Sequence, residues 1–495
     1  MSRASVRRWL VAALSAALVF TTACPPPADS SAQQGDGTAT DGASGDGSAV
    51  DGSGADGAAA DGTNGGDAGG SAAPAGLLEV PDPRSGDNPR YALVAAPTPE
   101  PGGSTADSRF GTSQTRVVGG EGLRHEYSRF DPFNRDGTLI LLLAIAGEWR
   151  IYRTQSVPYD RDGSLVRIVE VAEPRWDPEN PDVLWGLRAF QVVRASAASG
   201  EITVVKDFAL DAQIAPILAA NPDLYRITTR EEGETSLDKR FWAFMLQGSA
   251  DDYRPRYLFT WDREEDRVLG VYALSLAESR IDWVGMSPLG NWVVVGADWD
   301  NGGGKSGMLI ADREFAQFRQ IDYDAGHSDV GLDSAGNEVL VLQSNRTDSL
   351  DMVALGAETV PVEAGQSYAG TGRVQLVRLF YDSASPLGLR SGVHISCNAP
   401  GWCVISTFSE PDAPEQNWLD RTITLARLDA AAPRVFYVAK VHGTAGAYWE
   451  ETQASLSADG ARVVWATNWG QNVGQDRVWL MQTNLPTAWM AAFQE

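Results

Sequence analysis

The sequence predicts an all-β protein: a single closed β-propeller, best fitted by seven four-stranded blades, preceded by a disordered tether. Three observations predict it. From about residue 115 onward, apolar residues come with period two or in short continuous runs, which is a strand pattern and not a helical stripe. One turn phrase recurs just ahead of those runs. The long low-complexity sequence all lies upstream of them.

The N-terminus reads as an address. Arg3, Arg7 and Arg8 precede an apolar run over residues 9–20, too short for the roughly 20 residues that cross a bilayer, so residues 1–23 are read as a secretory signal. The run ends in Thr21-Thr22-Ala23-Cys24. Small residues before a cysteine resemble a bacterial lipobox, which implies lipidation of Cys24; ordinary cleavage near Ala23 is the alternative. Pro25 rather than Asp follows the cysteine, so the outer membrane is the expected destination, facing either the periplasm or the cell surface.

Residues 25–76 carry eight Asp, no Lys or Arg, no aromatic residue and Val50 as their one branched aliphatic. Such a segment cannot bury enough apolar surface to offset its ordering entropy. Asp-Gly recurs at Asp36, Asp41, Asp46, Asp51, Asp56 and Asp61. A calcium-binding repeat would need an apolar residue per pentad to stack a core, so a flexible acidic tether is favoured. The Pro- and Gly-rich stretch that follows extends the expected linker to residue 112, and the propeller is expected over residues 113–495.

Strands are expected at residues 138–144 (TLILLLA), 292–297 (WVVVGA), 338–342 (EVLVL) and 462–466 (RVVWA). The turn phrase ahead of them appears at residues 130–137 (FDPFNRDG), 286–291 (MSPLGN), 332–337 (LDSAGN) and 456–461 (LSADGA), with a degenerate copy at 176–182 (WDPENPD). Each reads as a tight turn with Gly at positive φ between two antiparallel strands. The spacing from Gly290 to Gly336 is about one four-stranded blade. Blade starts fall near 130, 176, 240, 285, 330, 400 and 455; six and eight blades stay open. Residues 115–118 (TRVV) are the candidate strand to complete the last blade, because an open ring would leave an edge. Helix is expected only at 211–220 and 486–493.

The phrase S-x-D-G followed by an apolar run resembles the blades of TolB-like, WD40-like bacterial β-propellers, and residues 457–465 (SADGARVVW) are its best copy. The resemblance spans roughly residues 120–485 and implies a fold more than an activity.

The chain has 40 Lys+Arg against 65 Asp+Glu, a formal charge of −25, which excludes a nucleic-acid binder and docking on anionic lipid through basic patches. Membrane contact is therefore expected through the lipid anchor alone. Beyond Cys24, Cys397 and Cys403 bracket a Pro400-Gly401 turn, and an even remainder in an exported chain favours a disulfide. No nucleophile elbow, Walker loop or dinucleotide fingerprint is present. Residues 302–306 (GGGKS) lead into a strand, so they read as a hairpin loop. The acidic run at 230–234 reads as a solvated loop, and Trp283, Trp292 and Trp299 as packing between blades.

Of the four histidines, His327 and His394 stand at blade entrances, and Gln453 takes the matching place in the last blade; His125 and His442 show no such placement. This faintly resembles oligogalacturonate lyases, seven-bladed propellers that hold manganese in the channel with three histidines and a glutamine. The resemblance implies a metal site of His327, His394 and Gln453, with Asp329 as a possible fourth ligand. The competing and favoured reading makes these residues hydrogen-bonding struts between blades. Two function classes follow. One is a non-enzymatic envelope platform, a monomer without cofactor, for protein or peptide partners and for glycans. The other is a carbohydrate-active, lyase-like enzyme that uses a divalent ion such as manganese.

Overall fold

The structure, a computed structural model, describes residues 77–84, 94–107, 109–250, 253–275, 278, 281–297, 306–356, 358–363, 365–379, 392–411 and 418–486. The signal, Cys24 and the Asp-Gly tether lie outside these residues, as do Trp299, residues 302–305 and all but Pro486 of the C-terminal helix candidate.

Two N-terminal strands come first, β1 (Ser104–Ala106) and β2 (Ser113–Arg116). Blade 1 is β3 (Leu123–Arg124), β4 (Leu139–Ala144), β5 (Trp149–Arg153) and β6 (Leu165–Val169). Blade 2 is β7 (Ala172–Trp176), β8 (Val183–Arg188), β9 (Gln191–Ser196) and β10 (Ile202–Asp207). Blade 3 is β11 (Leu224–Thr228), β12 (Phe241–Gly248), β13 (Pro255–Asp262) and β14 (Arg267–Ala273). Blade 4 is β15 (Ile281–Met286), β16 (Val293–Ala297), β17 (Gly307–Ala311) and β18 (Phe318–Asp322). Blade 5 is β19 (Ser328–Leu332), β20 (Glu338–Ser344), β21 (Ser349–Ala354) and β22 (Arg373–Arg378). Blade 6 is β23 (Val393–Ser396), β24 (Trp402–Thr407), β25 (Thr422–Arg427) and β26 (Arg434–Lys440). Blade 7 joins both chain ends: β27 (Ser455–Leu456), β28 (Arg462–Thr467) and β29 (Trp479–Asn484), then β2 and β1. The expected seven-bladed propeller is what the chain forms.

The turn phrases connect the first and second strands of their blades. Gly290 at φ +76° and Gly460 at φ +67° adopt the left-handed conformation that the phrase requires. In the best copy, Ala461 N donates to Asp459 Oδ1 and Arg462 N to Ser457 Oγ, so the Ser and Asp are local caps of the turn. The phrases also join neighbours: Leu289 N and Asn291 Nδ2 both donate to Glu338 of the next blade, at 2.6 and 2.9 Å.

Apolar side chains on the blade faces meet in seven clusters, one at each junction between consecutive blades, including the junction of blades 7 and 1. Trp283 lies in the junction of blades 4 and 5, with Trp292 packed against it, as expected. Among the described residues, helix is confined to short turns at Phe208–Leu210 and Tyr448–Glu450 and to α1 (Ala215–Ala220), which lies inside the expected 211–220.

β2 pairs antiparallel with β29, Thr115 opposite Gln482, so the expected closing strand is in place, shifted slightly toward the N-terminus. The linker expectation needs correction over its described part. Leu77 and Val80 are buried, Val80 N donates to Val435 O, and Tyr437 N donates to Leu78 O, so residues 77–80 lie along the outer edge of β26. Glu79 forms a two-pronged pair with Arg434 at 2.8 and 2.7 Å. Phe110 stacks on Tyr437 with centroids 4.5 Å apart. Composition hid this because Leu77 and Val80 stand in a Pro- and Gly-rich stretch.

Candidate site in the central channel

The innermost strands of the blades surround the channel, and one segment of blade 1 runs into it. β3 is only two residues long, and every residue from Leu123 to Phe130 is buried although five of the eight are polar or charged. Arg129 shows where the segment goes. Its guanidinium donates to Ser328 O of blade 5 at 2.6 Å and to Glu232 O of blade 3 at 2.8 Å, and lies 4.1 Å from the ring centroid of Trp283 in blade 4. A blade 1 side chain touches blades 3, 4 and 5 together only near the ring axis. Glu126 pairs with Arg175 of blade 2 at 2.6 Å. Residues 230–234, expected as a solvated loop, come in from blade 3. Glu232 ion-pairs with Arg129 at 3.3 Å, and Glu234 O accepts from Met286 N of β15.

Two of the expected ligands meet here. His327 and His394 have ring centroids 4.5 Å apart. Each is already engaged: His327 Nδ1 bonds Tyr127 Oη at 3.0 Å, and His394 Nε2 bonds Glu451 Oε2 at 2.6 Å. Burial, with Arg129 nearby, lowers the His394 pKa to about 3. The His394–Glu451 contact is therefore a neutral imidazole N–H donating to a carboxylate rather than an ion pair.

The other two expected ligands serve the scaffold. Asp329 accepts from Val330 N at 2.8 Å and from Cys397 N at 2.6 Å, tying blade 5 to blade 6. Burial and then the charge of Glu234 push its carboxyl well above the usual range. Gln453 donates from Nε2 to Tyr448 O at 3.1 Å. Cys397 and Cys403 are joined in a disulfide across the turn between β23 and β24.

His125 was passed over in the sequence and sits in the channel. Its Nε2 meets Gln453 O at 2.5 Å, and burial lowers its pKa to about 4, with the charges of Arg124 and His394 acting in the same direction. A signal for it existed. His125, His327 and Glu451 each stand five residues ahead of the first residue of their turn phrase, at Phe130, Leu332 and Leu456. Aligned on the phrase, Glu451 and not Gln453 takes the place equivalent to His327. His442 stacks on Trp469 at 4.4 Å instead of joining this group.

A manganese site of the expected kind does not fit these side chains. Both Asp329 oxygens are taken by main-chain amides, and His327, His394 and Gln453 are each bonded to other protein groups. Among the described residues, no three His, Cys, Asp or Glu are grouped to hold an ion.

No family model matches the chain, and no curated protein matches it. Solved structures do. An oligogalacturonate lyase from Vibrio parahaemolyticus matches at 10% identity and TM-score 0.50, over 78% of this chain and 97% of that one. An oligogalacturonate lyase in complex with manganese matches at 11% identity and TM-score 0.51, over 79% and 98%. A TolB protein from Agrobacterium tumefaciens matches at 13% identity and TM-score 0.29, over 46% and 76%. For the two lyases the likeness is one of fold. At these identities it carries the propeller architecture and not an activity. Among the described residues, no helix is long and apolar enough to cross a membrane.

Proposed function

We propose that this chain is a lipid-anchored propeller of the bacterial outer membrane that serves as a non-enzymatic platform for protein or peptide partners. One observation carries the reading against the enzyme. The channel side chains that a metal-dependent lyase would need free are spent on bonds between blades, with Tyr127, Arg129 and Glu126 reaching blades 2 to 5. The anchor rests on Cys24 behind its short apolar run, followed by an acidic tether. In-cell crosslinking followed by mass spectrometry tests the platform. Envelope proteins or peptides should crosslink to the loops of the propeller, and the absence of any specific crosslinked partner would refute it. Changing Cys24 to Ser should move the protein from the detergent-extracted membrane fraction to the soluble fraction. A native protein that is already soluble without detergent would sink the anchor.

A second reading is favoured by the contact of His327 with His394 in a fold shared with oligogalacturonate lyases. On that reading the purified protein carries stoichiometric manganese that is lost with His394→Ala, and it cleaves oligogalacturonate. A protein that contains no metal and leaves that substrate intact removes this alternative.

A further inference from the structure

Asp324 lies in the connection from β18, the outermost strand of blade 4, to β19, the innermost strand of blade 5. It is 2% exposed, and neither of its carboxylate oxygens has a hydrogen-bond partner. Buried carboxylates are nearly always paired, because an uncompensated charge away from water is costly. The neighbouring Asp322 is fully engaged: Arg373 binds its Oδ2 at 2.8 Å, and Asp324 N binds its Oδ1 at 3.1 Å. The cation that faces Asp324 is Arg346, whose Nε is 3.9 Å from Asp324 Oδ1 and whose Nη1 is 3.6 Å from Glu363 Oε2. Arg346 and Glu363 are each 43% exposed along the side chain. A closed guanidinium–carboxylate fork has N–O distances of about 2.7–2.9 Å. Arg346 therefore lies loosely across two carboxylates without closing a fork on either. Burial, Asp322 and Glu363 raise the Asp324 carboxyl to about 6, against the opposing pull of Arg346.

We propose that Asp324 and Glu363 hold a hard divalent cation of the calcium class, which enters by displacing the Arg346 side chain. The donors are carboxylates from two separate connections. Carboxylate oxygens are hard donors of the kind that calcium prefers. With only two carboxylates, affinity belongs at the weak, extracellular end of calcium sites, on the order of 10⁻³ to 10⁻⁴ M. The ion would pin the β18–β19 connection to the β21–β22 connection. This site is separate from the channel and does not depend on the function proposed for it.

Thermal melts of the chelator-treated full chain, titrated with calcium chloride, test the proposal. Calcium at about ten times its dissociation constant should raise the Tm of the wild type by a few degrees. Glu363→Gln, at a half-exposed position that tolerates the change, should lose that rise, and Asp324→Asn should lose it as well. Arg346→Ala should bind calcium at least about threefold more tightly, since a competing cation is gone. The proposal is overturned if calcium leaves the wild-type melt unchanged, or if the rise survives in both carboxylate variants. It also fails if a proton alone satisfies Asp324. In that case stability falls as pH rises through about 6, and calcium does not alter the fall.

Discussion

Arg373 is a fully confined charge, with its side chain 0% exposed and paired to Asp322 at 2.8 Å and Asp351 at 2.9 Å. Removing one member of such a group leaves the others buried and uncompensated, at a cost of about 3–5 kcal/mol. Arg373→Ala should lower unfolding stability by that amount in denaturant melts, whereas a loss below about 1 kcal/mol would show that water reaches the carboxylates. Glu126 sets a pH dependence. Burial raises its carboxyl to about 8 against the opposing pull of Arg175. The folded chain therefore binds this proton more tightly than the unfolded chain does. The stabilisation is complete below the ordinary carboxyl value and is lost as pH rises through about 8. Glu232, raised to about 7 by burial and then by Asp282, adds to the same trend. The Tm should fall between about pH 5 and pH 8, and Glu126→Gln should flatten the fall. A wild-type Tm that climbs over that interval would contradict the assignment. The channel was only partly legible at this scale. His327 and His394 announce themselves in the sequence, but which atoms their nitrogens meet depends on Tyr127 and Glu451, set by the ring and not by spacing.

Elements were legible where turn chemistry forces residue choice. Four turn phrases and one degenerate copy mark five of the seven blades, because a left-handed turn residue selects Gly and the local caps select Ser and Asp. Blades 3 and 6 lack the glycine phrase for visible reasons. In blade 3, Ser236 and Asp238 cap the same turn, but Lys239 takes the left-handed place of the glycine at φ +58°; in blade 6, the Cys397–Cys403 disulfide spans the turn. The bridged segment at residues 77–80 was illegible, since it stands in a Pro- and Gly-rich stretch with no turn phrase to mark its contact with β26. Truncations separate these contributions. Deleting residues 25–76 should leave the Tm unchanged within about a degree, because a segment with no aromatic residue and one branched aliphatic has little apolar surface to bury. Deleting residues 25–116 also removes Val80, the Glu79–Arg434 pair and β2, and should lower the Tm by many degrees. Equal melting of the two truncations would mean that β2 does not close the ring.

At the scale of the whole molecule, seven junction cores make every blade depend on two neighbours. No blade can unfold without baring two apolar faces, so the ring should melt in one transition. Leu340, 0% exposed in the junction of blades 4 and 5, tests this. Leu340→Ala should cost about 2–5 kcal/mol and move the single transition downward intact. The appearance of a second, earlier transition would show that the junctions are separable. The acidic surface charge and the periodic body were both plain in the sequence, because fold class follows from pattern and a partner's identity does not.

The pairing of β2 with β29 also bears on the order of events in synthesis. Thr115 is made early and Gln482, opposite it, is made near the far end of the sequence. The first strand of the ring must therefore wait while six blades are assembled beside it. Contacts of such high sequence separation form late and slowly, after a large loss of chain entropy. During that wait β2 has β1 on one side only, and its other edge stands open at one end of a nearly finished ring. Its SQTR sequence has no large apolar residue, which makes it a poor template for the wrong neighbour in the interval.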